Sequence, residues 1–248
     1  EDQSGGWDID SAGHTAVGLV WNGCNAEAFL WTDAGGPANF VALDLLGDPS
    51  PENGAPPINR ATVISDDGQT AAGFASHVAD VGGNLYWIDR WPAIWHANGS
   101  GFLLPSNPVF TDDCPGEVLA IAGNGSLVTG VWCDHAFLWS EATGVVDLTP
   151  GESGHGQAVA RNGELVFGTV GGGFFGGPPQ PFVWTEAGGV QYLLDIALAN
   201  GISLPNNSYW EAVVAASADG TVVVGTVYDE AFQLHTYVLK LPVSAYGL

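Results

Sequence analysis

The sequence has very few basic residues. Lysine and arginine together number 4, against 27 aspartates and glutamates, which gives a formal net charge of −23. Binding to nucleic acids and anionic membranes depends on lysine and arginine that displace counterions. The composition therefore argues against both kinds of partner. It is typical of a protein that stays dissolved in salt outside the cell, and calcium is the one cofactor that it suggests.

Methionine and long hydrophobic runs are also lacking. The chain begins at Glu1, contains no methionine, and has no apolar stretch as long as a membrane span. We expect no membrane insertion. We also expect a mature product from which a signal peptide has been removed, located outside the cell, on its surface or in the periplasm.

Cysteine is scarce, and its spacing fits no metal site. The three cysteines are Cys24, Cys114 and Cys133, and none belongs to a CxxC or paired Cys/His pattern. Cys114 and Cys133 flank strands of a single repeat, at ends that we expect to be neighbours. The sequence predicts a Cys114–Cys133 disulfide in an oxidising compartment, with Cys24 unpaired.

Catalytic motifs are absent from the sequence. It contains no phosphate-binding loop, no HExxH and no GxSxG. The segment 8–13, DIDSAG, is similar to a calcium loop but departs from the EF-hand pattern at Ala12 and Leu19. We predict a protein that is not an enzyme. Carboxylates converging from different repeats remain the open route to an extracellular hydrolase.

What the chain does contain is a fivefold repeat of paired glycines. Each pair is five residues apart, with the first glycine in a polar turn and the second in an apolar run. The pairs are Gly13/Gly18, Gly68/Gly73, Gly125/Gly130, Gly163/Gly168 and Gly220/Gly225. The first glycine predicts a hairpin turn with positive φ. The second predicts a close approach by another backbone, or by an aromatic ring of the following module.

That following module is a second hairpin. It reads AFLWTDAGG, PAIWHANGSG, AFLWSEATG and PFVWTEAGG, each followed by an apolar strand such as VVDLT or VQYLLDI. We expect its repeated tryptophans, Trp31, Trp95, Trp139 and Trp184, to lie in the core.

Two hairpins per unit give four antiparallel strands, which is typical of a propeller blade. We predict an all-β fold, a single five-bladed β-propeller over 1–248. An open β-solenoid is the alternative. The predicted repeats are 5–46, 58–104, 116–149, 156–198 and 209–248.

The strand count predicts an incomplete last blade. The chain ends after the third strand of the fifth repeat. A fourth strand therefore has to come from segment 243–248 or from another chain, because an open sheet edge is normally covered or used for strand addition.

The long insertions, including 74–92 and 171–180, should all be loops on one face of the propeller. Clusters of exposed aromatic side chains mark interfaces with proteins or sugars. The residues predicted to form such a binding surface are Tyr86, Trp87, Trp91, Phe174, Phe175, Tyr209 and Trp210.

The motifs resemble those of a known family. SADGTVVVG, AFLW, the triplet His135-Ala136-Phe137 and the ending SYWEAVVAASADGTVVVGTVYDEAFQLHTYVLKLP are similar to the HAF repeats of bacterial extracellular repeat proteins. The resemblance spans nearly the whole chain. It implies an exported, propeller-like protein and supplies no catalytic residues.

The sequence leaves three functions open. The favoured one is a structural or protein-interaction module, binding a partner or other copies of itself through the long-loop face or the open blade edge. A carbohydrate-binding propeller is second, and an enzyme is third.

Overall fold

The fold is all-β. A computed structural model describes residues 4–23, 25–33, 36–111, 113–171, 178–203 and 208–248. Strands make up 54% of the chain and helices 6%. The strands form antiparallel sheets, four with four strands and one with three. The predicted all-β class and its four-stranded antiparallel unit are confirmed.

In every sheet the strands follow one another in chain order, so each four-stranded sheet is two consecutive hairpins. The first sheet contains β1 (Ser4–Ile9), β2 (Thr15–Asn22), β3 (Asn25–Thr32) and β4 (Asn39–Ala42). The second contains β5 (Asn59–Ile64), β6 (Thr70–Val81), β7 (Asn84–His96) and β8 (Gly101–Leu103). The third contains β9 (Gly116–Ile121), β10 (Val128–Trp132), β11 (His135–Ser140) and β12 (Gly144–Asp147). The fourth contains β13 (Gly154–Ala160), β14 (Leu165–Val170), β15 (Gln180–Thr185) and β16 (Gly189–Tyr192). The fifth contains β17 (Tyr209–Ala216), β18 (Val222–Tyr228) and β19 (Leu234–Lys240).

Two local expectations were wrong. The insertion 74–92 is not a loop, because β6 and β7 continue pairing out to Val81 and Asn84 and form a long hairpin. The strand predicted in VQYLLDI stops at Tyr192 and gives way to helix α1 (Leu193–Ala199). The helix forms because Leu193, Ile196 and Ala197 share one face, which is buried in the core. None of the helices in the described ranges is long and apolar enough to cross a membrane.

The turn glycines have the predicted conformation. The first glycine of every pair has positive φ, from 69° at Gly68 to 100° at Gly163. In the left-handed region a side chain is strained, so glycine is the residue that closes these hairpins at least cost. This prediction is confirmed.

The second glycine of every pair faces a β-bulge. In each sheet the first strand shifts register beside this glycine. The shift aims a backbone carbonyl at the place where a side chain would begin, as the Glu117 carbonyl does at Gly130. Aromatic rings of the third strand also approach three of these glycines, from Phe29, Phe182 and Tyr237. The expected close approach is therefore confirmed, and the carbonyl is its constant element.

The sheets pack face to face in chain order. We call the face of a sheet that meets the preceding sheet its leading face, and the opposite one its trailing face. In the third sheet, Phe137 and Trp139 on the leading face join a core with the second sheet. Leu138 on the trailing face joins a core with the fourth. Apolar clusters of this kind fill the four successive junctions, and among the described residues none joins the fifth sheet to the first.

A buried ionic network links the second and third sheets. The Glu117 side chain, 4% exposed, accepts hydrogen bonds from Arg60, from Arg90 at 3.1 Å and from the Thr62 hydroxyl at 2.9 Å. The Arg60 guanidinium also lies 4.2 Å from the ring centroid of Trp7, in the first sheet. Two of the four basic residues of the chain are therefore used to hold sheets together. Removing one member of such a network would leave a buried charge uncompensated.

The C-terminal segment does not complete the fifth sheet. After β19 the chain forms a short 3-10 helix, Val243–Tyr246. The Tyr246 ring is buried and meets Phe167 edge-on at 5.7 Å between centroids. The expectation that 243–248 supplies the missing strand is wrong, because Tyr246 packs in the core between the fourth and fifth sheets.

Gly130→Ala tests the bulge contact. A methyl group at this position would overlap the Glu117 carbonyl oxygen and lie 3.0 Å from the Leu119 nitrogen, both of which are backbone atoms. We expect the free energy of unfolding to fall by about 1–3 kcal/mol, measured by urea denaturation. The control is Gly6→Ala, also within a strand, where the added methyl meets nothing within 4 Å. An equal loss in both variants would contradict the role of the bulge.

Asp219 tests the turn of the fifth sheet. Hydrogen bonds from the Ser217 hydroxyl and from the Thr221 N–H and hydroxyl lower the pKa of Asp219 to about 2. A lowered pKa in the folded state stabilises the fold above the unfolded value of about 4, and this contribution disappears between about pH 4 and pH 2. Asp219→Ala should therefore be less stable than the wild type at pH 7 and approach it near pH 2, in urea titrations at several pH values.

Asp219→Asn is the matched control. In the third sheet Asn124 accepts the equivalent hydrogen bonds from the Ser126 N–H and hydroxyl. An asparagine at 219 should keep the turn without this pH dependence. A constant difference between wild type and Asp219→Ala from pH 7 to pH 2 would refute the assignment.

Candidate interaction surfaces

The end of the β6–β7 hairpin exposes part of the predicted aromatic surface. Tyr86 is 52% exposed, next to exposed Leu85, and Trp87 is half-buried. The Trp87 indole N–H is buried and has no hydrogen-bond partner among the described residues, so the ring and not its donor is what this side chain presents. We call Leu85, Tyr86 and Trp87 the hairpin tip. It combines apolar area with aromatic rings, which suits either a protein or a sugar.

Trp91 does not belong to the exposed surface, and its prediction as a binding residue there was wrong. It is 3% exposed because it lies in β7 opposite Ala75, where the strand has already entered the core. Its indole N–H donates to the Leu104 carbonyl at 2.8 Å. Its ring meets Trp132 edge-on at 4.8 Å.

Trp210 is also buried, contrary to the prediction. It lies on the leading face of the fifth sheet, where its ring stacks on Tyr237 with centroids 4.7 Å apart. The neighbouring Tyr209 is half-buried and stacks on Tyr228 at 5.3 Å. Tyr209 also lines a cavity of about 190 Å³ together with prolines 178, 179 and 181.

The predicted aromatic set is therefore divided. Tyr86 and Trp87 are in the second sheet and Tyr209 is in the fifth, at the same end of the sheets. Phe174 and Phe175 lie outside the described residues.

A polar pocket of about 530 Å³ lies near the hairpin tip. Asp80 and Gly82 of the hairpin line it from one side. Its other lining residues come from the connection between the second and third sheets: Ser106, Asn107, Pro108, Thr111 and Asp113. Hydroxyl, amide and carboxylate groups in one concavity are the groups that bind sugar hydroxyls.

The carboxylates of the calcium-like segment 8–13 serve the fold. Asp8 accepts a hydrogen bond from the Ile64 N–H at 2.9 Å, across the junction between the first two sheets. Burial favours the protonated form of Asp10, but hydrogen bonds from the Thr15 and His14 N–H groups outweigh it and lower the Asp10 pKa. No group of three metal-ligating side chains occurs within the described ranges.

The predicted disulfide is present. Cys114 and Cys133 are joined, with Cα atoms 5.1 Å apart. It fastens the connection leading into β9 to the turn between β10 and β11. With Cys133 bonded, that residue offers no thiol nucleophile beside His135, which pairs instead with Asp147 at 3.0 Å. Cys24 lies outside the described residues.

The fifth sheet has an open edge. In the third sheet, residues Phe137–Ser140 of β11 pair with β12, and the third strands of the other four-stranded sheets pair in the same way. The equivalent residues of β19 are Tyr237–Lys240, given the shared register of Gly130 with Phe137 and of Gly225 with Tyr237. No strand in the described part of the chain pairs with this side of β19. We call Tyr237–Lys240 the open edge.

The trailing face of the fifth sheet is uncovered. In each sheet, one residue of the third strand has its side chain on the trailing face. In the first four sheets this side chain is buried by the next sheet. Its exposure is 2% at Leu30, Ile94 and Leu138 and 0% at Val183. At Val238, the fifth member of this series, it is 59%. Val214 and Leu234 on the same sheet are exposed to a similar extent.

The leading face of the first sheet is uncovered in the same way. Ile64 of β5 is 5% exposed, because it packs in the core between the first and second sheets. The equivalent residue of β1, Ile9, is 53% exposed. On the same face of the sheet, Phe40 in β4 is also 53% exposed and stacks on Phe29 with centroids 5.1 Å apart. Sequence reasoning missed both end faces, although aligning the repeats identifies the equivalent positions.

No known protein family matches this chain. No curated protein is similar to it in sequence.

Solved structures do resemble the fold. Dipeptidyl peptidase 4 of Porphyromonas gingivalis aligns with a TM-score of 0.56 at 9% identity, over 96% of this chain and 38% of that one. A putative TolB of Agrobacterium tumefaciens aligns with a TM-score of 0.51 at 15% identity, over 94% of this chain and 76% of that one. The β-propeller domain of Cps50 (Swd1) from Myceliophteria thermophila has a TM-score of 0.46 at 9% identity, over 95% and 82%. At such identities the likeness concerns the fold alone: the TolB structure is a β-propeller, and this chain shares its antiparallel four-stranded sheets.

Proposed function

We propose that this chain is a secreted, non-enzymatic β-propeller module that binds a protein partner by accepting a strand at its open edge. Propeller folds host both binding modules and enzymes, so the function has to be argued from the site. The observation that carries the proposal is the row of four residues, Tyr237–Lys240, whose counterparts pair with a fourth strand in every other sheet. Membership of the HAF repeat proteins is part of the same proposal.

The open edge has little protection against strand addition. Natural edge strands are usually short, or carry prolines and several charges that prevent pairing. β19 is seven residues long, lacks proline and has one fixed charge, at Lys240. Thr236, Tyr237 and Val238 favour extended backbone. The strand is therefore suited to pair with an added one.

The disulfide and the acidic composition of the chain fit a role outside the cell. The Cys114–Cys133 disulfide is the kind of cross-link that persists in oxidising compartments. The excess of acidic residues keeps the molecule dissolved and directs it away from nucleic acids. The hydroxyl–carboxylate pairs Ser65–Asp67 and Ser217–Asp219, each 2.6 Å apart, lie within hairpin turns and hold those turns together.

A peptide of the chain's own fourth-strand type tests the open edge. The peptide GVVDLT, residues 144–149, contains β12. It should bind the protein saturably in fluorescence anisotropy and slow hydrogen exchange at the amides of 237–240, because it completes the ladder. A control peptide with proline in place of both Val145 and Val146 removes at least one ladder donor and should bind at least about tenfold more weakly. Equal binding of both peptides, or unchanged exchange at 237–240, would exclude strand addition.

Carbohydrate binding is the second candidate function. It is favoured by the hairpin tip, whose aromatic rings lie on the same hairpin as the polar pocket at Asp80. Rings that stack on a sugar face, next to groups that bind its hydroxyls, are the usual components of such a site.

Trp87→Ala tests carbohydrate binding. If the hairpin tip binds glycans, a glycan array should show binding by the wild type that this variant loses by about tenfold or more. Leu198→Ala, an exposed substitution in helix α1, away from this hairpin and its pocket, is the control. Trp91→Ala is unsuitable as a probe, because Trp91 is buried and its loss reports on folding. An array without wild-type binding would rule out this candidate among the sugars displayed.

A further inference from the structure

One of the two uncovered faces is a leading face and the other is a trailing face. The first sheet lacks a neighbour on its leading face, and the fifth lacks one on its trailing face. Everywhere else in the chain, a trailing face is buried by the leading face of the next sheet, and this happens at four junctions. Each chain therefore exposes one leading face and one trailing face. These are the two kinds of surface that already bind each other at its internal junctions.

We propose that the trailing face of the fifth sheet binds the leading face of the first sheet of a second copy of this chain. The junction between the third and fourth sheets shows the contact expected. There Ala136 and Leu138 pack against Val166, Val170 and Phe182. In the proposed contact Thr236 and Val238 take the first two positions, as their registers opposite β18 and β10 show. This contact uses sheet faces, so it does not depend on the proposed function of the open edge.

The receiving positions on the second copy are also apolar. By register, the counterparts of Val166, Val170 and Phe182 in the first sheet are Ala16, Val20 and Phe29. Ile9 and Phe40 extend this surface and are more than half exposed, and Phe40 stacks on Phe29, which is itself 9% exposed. Side chains of this kind outside a core mark an interaction surface.

Charge also favours these two faces as the contact. With a net charge of −23, two copies repel each other over most of their surfaces. The strand positions at the centres of the two faces, among them Ile9, Thr236 and Val238, are uncharged, and Glu27 and Asp33 lie toward opposite ends of β3. The trailing face also carries Lys240, the single lysine of the sequence, which has no ion pair among the described residues. A second copy meets the least repulsion here.

A second copy is favoured over closure within one chain. In a single chain both faces remain exposed, and no apolar cluster connects them in the described residues. A contact between two different faces is heterologous, so each copy that binds leaves one free face of each kind. Association therefore continues, as an open filament or as a ring if the rotation closes.

Two substitutions test the proposal. The wild-type chain should show a molar mass that rises with concentration in multi-angle light scattering. Val238→Asp on the trailing face and Ile9→Asp on the leading face should each weaken association by at least about tenfold, because each puts a charge at the centre of the contact. Both residues are more than half exposed, so both variants should fold, which circular dichroism and urea unfolding can verify. Val109→Asp adds the same charge outside both faces and should associate like the wild type.

Mixing the two variants gives the decisive measurement. The Val238→Asp chain keeps an intact leading face, and the Ile9→Asp chain keeps an intact trailing face. Together they should form a one-to-one dimer that grows no further, although neither associates strongly alone. Ile9 lies in β1, a different sheet from the open edge, so strand addition at β19 does not predict its effect.

Three results would overturn the proposal. The first is a wild-type chain that stays monomeric at every concentration. The second is either aspartate variant, correctly folded, that associates as the wild type does. The third is an equimolar mixture of the variants in which no dimer appears.

Discussion

The burial of both faces of each sheet is the constraint on which this structure depends. A sheet with apolar residues on both faces, such as the third with Phe137 and Leu138 on opposite sides, is stable only between two neighbours. Stacking sheets in chain order meets this need at every inner position and leaves it unmet at both ends. The interior and the exposed end faces are thus consequences of one pattern, repeated from sheet to sheet.

The glycine and bulge pairs make this stacking uniform. A bulge shifts the register of the first strand and brings one of its carbonyl oxygens close to the second strand. The glycine there leaves room for that oxygen because it has no side chain, as Gly130 does for the Glu117 carbonyl. Since the same adjustment recurs in each sheet, the third strand presents equivalent positions to its neighbours throughout the chain. That regularity is what makes it meaningful to compare Leu30, Leu138 and Val238 directly.

Local features of the fold were predictable from the sequence, and long-range ones were not. Turn glycines, hairpins and the Cys114–Cys133 bridge could be inferred because each depends on residues within one repeat. Trp91 was predicted to be exposed because the segment around it looked like a loop. That segment instead extends two paired strands, and the burial of Trp91 depends on their register, which composition does not reveal. The surroundings of Val238 depend on whether the last sheet meets the first, a property of the whole molecule. Repeats therefore allow the structure of each unit to be predicted, but they do not show whether the first and last units contact each other.

The ionic network at Glu117 affects the outside of the molecule as well as its interior. It pairs mostly buried Arg60 and half-exposed Arg90 with Glu117, and Arg161 pairs with Glu164. Almost no positive charge is left to moderate the acidic surface, so the field that other molecules meet is negative nearly everywhere. Dissolved salt shortens the range of such a field, from about 10 Å at 0.1 M to about 3 Å at 1 M ionic strength. The ionic strength of the solution therefore sets how closely these molecules approach one another, and they come nearer at about 1 M salt than at about 0.1 M.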